Sequence, residues 1–93
     1  SDALPIASQV ELIKQMVPQV QSIGVIYNPG EANSVKMIQA FKEALEEVNL
    51  QCVEATASKT SDINAAVNSL IGKVQAIYIP NDNTAVAAMR NIA

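Results

Sequence analysis

The sequence predicts an α/β fold: a three-layer sandwich whose sheet is parallel, in strand order 2-1-3, with helices on both faces. Three observations carry that expectation. Three short runs, Ser22–Tyr27 ("SIGVIY"), Gln51–Ala55 ("QCVEA") and Ala76–Ile79 ("AIYI"), are rich in apolar residues, and the first is continuously so, as a strand covered on both faces is. Between them lie stretches whose apolar residues recur at helical spacing. The resulting β-α-β-α-β order, closed by right-handed crossovers, brings the strands into one parallel sheet with its order reversing beside the first strand. This is the arrangement of a Rossmann-like or flavodoxin-like half-sheet.

The elements follow in order. Ile6, Val10, Ile13 and Val17 form one helical stripe, and Pro18, which lacks an N–H donor, ends it. After the first strand, Asn28-Pro29-Gly30 reads as a turn, with Glu31, Asn33 or Ser34 as caps for the next helix. That helix carries an apolar stripe of Val35, Ile38, Phe41, Leu45 and Val48, and a wet face of Lys36, Lys42, Glu43, Glu46 and Glu47. Asn49 is suited to stop it. Beyond the second strand, "TASKTSD" is turn-like, with Thr60 or Ser61 placed to cap a helix and Asp62 in its first turn. Ile63, Val67, Leu70 and Ile71 line that helix and Gly72 closes it. After the third strand, "PNDNT" breaks the chain, with Asp82 or Asn83 as cap for a last helix, "TAVAAMRNIA".

Composition removes several function classes. At 93 residues and 49% apolar, the chain is one small domain or a piece of a larger one, with a thin core. Six basic and nine acidic residues give a net charge of −3, and the basic residues are scattered singly, so no nucleic-acid surface is expected. There is no histidine, which removes the commonest general base and metal ligand together. Cys52 lies in a strand-like apolar run and is expected to be a buried, inert thiol. No metal site or cofactor is expected. No segment is long and apolar enough to span a bilayer, and the N-terminus has no signal-peptide pattern. The abrupt ends, "SDALPIA" and "AVAAMRNIA", read as those of a single truncated lobe spanning residues 1–93, which leaves the compartment of the parent protein open.

In open parallel sheets, ligands bind beyond the carboxyl ends of the strands, near the point where strand order reverses. Three loops occupy that edge: "NPGEANS", "TASKTSD" and "PNDNT". Each is small and polar and leads toward a helix N-terminus, where backbone N–H groups and the helix dipole favour an anionic group. Neither nucleotide-binding glycine pattern is present, and Glu31 would repel a pyrophosphate. Asp2, Glu31 and Asp82 are the carboxylates expected near this edge, but no nucleophile–base pair accompanies them. A phosphoacceptor site would want clustered acids at the strand ends with a conspicuous Lys, and neither "GVIYN" nor "AIYIP", at the ends of the first and third strands, carries an acid.

The stretches "QVELIKQMVPQVQSIGVIYNPGEANS", "VEATASKTSDI" and "VQAIYIPNDNT", with "SDALP" before them, strongly resemble ABC-transporter substrate-binding proteins of the tryptophan/tyrosine-binding type, which have a type I periplasmic-binding-protein-like fold. The resemblance covers the whole chain, and "GVIYNPGEANS" and "PNDNT" are its most specific parts. It implies a two-lobed clamp that closes on a small ligand, an amino acid such as tryptophan or tyrosine, and delivers it to a membrane permease. This chain would be most of one lobe, with the second lobe absent. The parent would be periplasmic or lipid-anchored on the extracellular face. By the same resemblance, Glu31, Ala32, Asn33 and Ser34 hold the ligand's polar head, Asp82, Asn83 and Thr84 add polar atoms, and Asp2 lies near the hinge. Thr56 and Ser58 are weaker candidates.

The leading expectation is therefore a non-enzymatic binding lobe. The alternative is a ligand-sensing regulatory domain of the same shape joined to a DNA-binding segment, and an enzyme using Asp82 ranks third. A platform for stacking an aromatic ligand is not expected from Tyr27, Phe41 or Tyr78, which fall in strands or in the core stripe and are expected to pack there. A sheet ending at its third strand would leave an unpaired edge, from which self-association by sheet extension is expected.

Overall fold

The computed structural model describes residues 5–79 and the backbone of Thr84–Ala87. In chain order the elements are α1 (Ile6–Met16), β1 (Ser22–Tyr27), α2 (Ala32–Glu47), β2 (Gln51–Thr56), a 3-10 turn (Thr60–Asp62), α3 (Ile63–Leu70), β3 (Ala76–Ile79) and β4 (Thr84–Ala87). The sheet order is β2-β1-β3-β4. β1 runs parallel to β2 from Ser22↔Gln51 to Tyr27↔Thr56, and parallel to β3 from Ile23↔Ala76 to Val25↔Tyr78. The expected 2-1-3 order is thus present.

β1 is the centre of the molecule. Its four middle residues, Ile23, Gly24, Val25 and Ile26, are buried because both faces of the strand are covered. Side chains alternate across a strand, so they divide between two apolar clusters. Ile23 and Val25 join Ala76 and Tyr78 against Val10 and Ile13 of α1 and Ile38, Phe41 and Leu45 of α2. Ile26 and Ile77 join Ala66, Leu70 and Val74 on the α3 side. At the opposite end of the sheet from the loops named above, the Gln75 Oε1 accepts the N–H groups of Gln21 and Ser22, at 2.8 and 2.9 Å. The Gln75 N–H in turn donates to the Ser22 carbonyl.

Asn49 ends α2 as expected, and the geometry shows how. It adopts φ +63, with its N–H on the Glu46 carbonyl and the Leu50 N–H on the Leu45 carbonyl. These are the two bonds of a Schellman motif, which satisfies carbonyls the helix leaves open. Leu50 then packs against the cluster that holds Leu45.

Three local expectations are corrected. Ile71 does not line α3: the helix stops at Leu70, Ile71 is extended and 56% exposed, and Gly72 turns the chain at φ +87. The Lys73 and Val74 N–H groups both close on the Leu70 carbonyl, so the turn back toward β3 starts one residue early and points Ile71 outward. Neither Thr60 nor Ser61 caps α3, because a 3-10 turn spans Thr60–Asp62 and makes Asp62 the N-cap position, without a side-chain cap bond.

The third correction concerns the last segment. Thr84–Ala87 is not helical; it is a strand antiparallel to β3, from Ile79↔Thr84 to Ala76↔Ala87. The backbone groups along the free edge of β3 need partners, and the β-branched Thr84 and Val86 suit an extended chain, which outweighs the weak helical preference of "TAVA". The edge from which self-association was expected is therefore occupied by β4. Asp82 and Asn83, expected as caps there, lie outside the described residues.

Two close contacts generate predictions. A Cβ on Gly24 would sit 2.8 Å from Leu70 Cδ1 and 3.3 Å from its Cγ, so the buried Leu70 side chain would have to shift to admit it. Gly24→Ala is expected to cost about 1–3 kcal/mol in urea unfolding. Combined with Leu70→Ala it should cost clearly less than the sum of the two single changes, and full additivity would show that the contact is not the cause. Tyr78, 1% exposed, stacks on Phe41 with ring centroids 4.3 Å apart and planes 8° from parallel. Among the described residues its hydroxyl has no hydrogen-bond partner. Tyr78→Phe keeps the stack and removes the unpaired group, so thermal unfolding should show stability unchanged or raised by roughly 1 kcal/mol. A loss of that size or more would show that the hydroxyl has a partner in solution.

Candidate functional site

Parallel pairing places the carboxyl ends of β1, β2 and β3 at one edge, and Thr84, opposite Ile79, starts β4 there. The first loop is built from Asn28. Its side-chain oxygen accepts the Gly30 N–H at 2.8 Å and its carbonyl accepts the Glu31 N–H at 3.0 Å, an Asx turn within a β-turn that carries Pro29 at its second position. Glu31 is the N-cap of α2 in extended conformation, and its carbonyl accepts the first helical bond, from the Val35 N–H at 3.1 Å.

The N-cap residue Glu31 makes no side-chain cap bond to α2. The Glu31 carboxylate instead accepts the Ser34 hydroxyl at 3.3 Å. Glu31, Ala32 and Asn33 are exposed at the sheet edge while Ser34 is 2% exposed, so the first three face solvent and Ser34 lies beneath them. α2 thus presents its positive dipole end beside an exposed carboxylate. The arrangement can receive an anionic group on backbone N–H donors and a cationic group at Glu31.

The second loop is tied to the first. The Ala57 N–H donates to the Tyr27 carbonyl at 3.0 Å, and Asn28 Nδ2 reaches the Ser58 carbonyl at 3.5 Å. The Ser58 hydroxyl donates to Asp62 Oδ2 at 3.3 Å. Thr56 and Ser58 are exposed at this edge. Of the remaining expected residues, Asp2, Asp82 and Asn83 lie outside the described residues, and Thr84 is described by its backbone alone. The cross-loop role of Asn28 was not legible in the sequence, because it joins residues 30 positions apart, and the only signal was an Asn where a turn alone would accept Asp or Ser.

The shifted titratable groups lie mostly away from these loops, on the face of edge strand β2 that meets α2. Lys42 Nζ bonds Glu54 Oε2 at 2.8 Å and the Tyr27 hydroxyl donates to Oε1 at 3.2 Å. The bond from Lys42 holds the Glu54 carboxyl below the usual carboxylate range. Burial, then the bond to Glu54, raises the Tyr27 phenol, and Glu54 raises Lys42. Burial first, and then the Glu54 charge, pushes the Cys52 thiol up to about 11. Charges on an edge strand guard it against pairing with other chains. A thiol that stays protonated is no nucleophile at neutral pH. Among the described residues no group of three or more Cys, Asp or Glu could hold a metal ion, and no helix is long and apolar enough to cross a membrane.

Comparison with known proteins agrees with this geometry. The family model described as ABC transporter substrate binding protein matches residues 1–93. A protein of Clostridioides difficile (strain R20291) named "Tyrosine-binding protein" is 38% identical over 89 residues, which cover 96% of this chain and 26% of that one. Among solved structures, a conserved domain protein from Vibrio cholerae is 44% identical with a TM-score of 0.78, over 84% of this chain and 26% of the other. A ligand-free, open substrate-binding protein with adhesive properties from Clostridium difficile is 32% identical with a TM-score of 0.78, over 85% and 27%. A Streptococcus pneumoniae ABC domain in complex with L-Trp is 35% identical with a TM-score of 0.76, over 81% and 26%. The chain therefore spans about a quarter of the length of each relative.

The thiol provides a test of the electrostatics beside β2. With its folded value near 11, Cys52 should react with iodoacetamide at pH 8 on the order of a hundredfold more slowly than in the unfolded chain. Because the folded value is raised, the stability it contributes is complete below the ordinary thiol range and is lost as pH climbs through about 11. Cys52→Ala should flatten part of that alkaline loss in denaturation curves, and an unchanged curve together with fast alkylation would refute the burial.

Proposed function

The chain belongs to the ABC transporter substrate binding protein family, and on that premise we propose that it is one lobe of a two-lobed solute-binding protein, supplying half of the ligand cleft. The observation that carries this reading is the N-terminus of α2: its N-cap residue Glu31 makes no side-chain cap bond, it opens at the carboxyl edge of a parallel sheet, and Glu31, Ala32 and Asn33 are exposed around it. The ligand is a free amino acid. Its carboxylate lies on the first-turn N–H groups of α2 and its ammonium faces Glu31. Asp82, Asn83 and Thr84 complete the polar contacts from the neighbouring loop, and Asp2 lies near the crossing to the other lobe.

An aromatic ligand is favoured by the relatives, one named for tyrosine binding and one solved with L-Trp. The aromatic side chain is gripped mainly by the other lobe, since Phe41 and Tyr78 are buried against each other and Tyr27 is engaged with Glu54. Function is by binding and release alone. The loaded clamp delivers its amino acid to an ABC permease, at the outer face of the membrane or in the periplasm, with the parent held there as a soluble or lipid-anchored protein.

Titration calorimetry with L-tyrosine and L-tryptophan tests this on the 93-residue chain and on the complete two-lobed protein. The single lobe should bind either amino acid weakly or undetectably, because a clamp divides its contacts between two halves, while the complete protein binds at least one of them tightly. Glu31→Gln in the complete protein should weaken binding by roughly tenfold, the loss of one charge-assisted contact. Tight binding by the single lobe would sink the half-cleft reading, and indifference of the complete protein to both amino acids would sink the ligand class.

A further inference from the structure

We propose that Asn28 is a positioning residue that couples two of the cleft loops, setting the N-terminus of α2 and the loop between β2 and α3 as one unit. The inference deepens the binding-lobe reading and rests on it for its ligand consequence, but the coupling itself stands on the hydrogen bonds. The Gly30 N–H can be met only by the Asn28 side-chain oxygen, at 2.8 Å, which fixes the amide's orientation and leaves Nδ2 turned toward the Ser58 carbonyl at 3.5 Å. The Ser58 hydroxyl continues the chain to Asp62 Oδ2 at 3.3 Å, at the N-cap of α3. One half-buried amide is thus bonded on one side to the turn that starts α2 and on the other to the loop that starts α3.

The residue type matters because the two jobs differ. The turn needs only an acceptor, which Asp, Ser or Thr could supply. Reaching the Ser58 carbonyl needs a donor on the same short side chain, and only the amide has both. A carboxylate at this position would keep the turn and set an oxygen against the Ser58 carbonyl. The expected consequence is that a ligand touching the start of α2 also alters the second loop.

Amide hydrogen exchange by NMR on the 93-residue chain separates the two roles without any ligand. In Asn28→Asp, the Gly30 amide should keep its protection while the amides from Ser58 to Asp62 exchange at least roughly fivefold faster, the equivalent of losing one net hydrogen bond. In Asn28→Ala both regions should lose protection. Unchanged exchange from Ser58 to Asp62 in both variants, with thermal melts confirming that they are folded, would overturn the coupling. A second arm titrates L-tyrosine and L-tryptophan into the complete two-lobed protein, where shifts in both loops for the unaltered protein should shrink in the second loop alone for Asn28→Asp. Equal second-loop shifts in the variant would overturn the proposal, whereas an unaltered protein that responds to neither amino acid would refute the ligand reading and leave the exchange result to decide the coupling.

Discussion

Everything in this molecule depends on the double burial of β1. The strand is paired along both edges and covered on both faces, so its six residues fix the register of β2 and β3 and the separation of α3 from the sheet. The tightest point is Gly24, where the absence of a side chain admits Leu70. A shift of one residue in this strand would exchange the Ile23/Val25 face for the Gly24/Ile26 face and put both clusters out of step. Pairing this strongly specified gives the three loops a rigid base.

That base turns an ordinary feature into a candidate site. Parallel strands end together, and the chain must leave each by a polar turn. Here the turn after β1 is made by Asn28, Pro29 and Gly30 from their own backbone and one side-chain oxygen, and Glu31 at the N-cap of α2 makes no side-chain cap bond. The helix therefore starts at the carboxyl edge of the sheet. Ser34, buried under Glu31 and bonded to it, orients the carboxylate from below.

The charged groups with perturbed titration lie mainly elsewhere, and their position accounts for their effect. Glu54, Lys42 and Tyr27 form a clasp on the edge strand β2, whose outer side would otherwise invite pairing. Cys52 sits beside them, half-buried and protonated, and behaves as a small apolar residue. The loops after β1 and β2 offer polar atoms and lead into helix N-termini, while the core offers shape.

Much of this was legible in the residues. Alternation of β-branched runs with helical stripes determined the strands, α1 and α2 and the 2-1-3 order, because burial on one face or two imposes a period that composition reveals directly. Asn49 announced the end of α2, since few residues tolerate a left-handed backbone. The motifs also carried the family, by resemblance. What the sequence could not decide was whatever depended on a partner distant along the chain. "TAVA" became a strand because the edge of β3 needed partners, Ile71 turned outward because the closure of α3 on Leu70 came first, and Asn28 joined two loops because parallel pairing brings Tyr27 beside Thr56. Local preference in each case differs among conformations by less than a hydrogen bond or a buried side chain is worth, so the tertiary contacts decided.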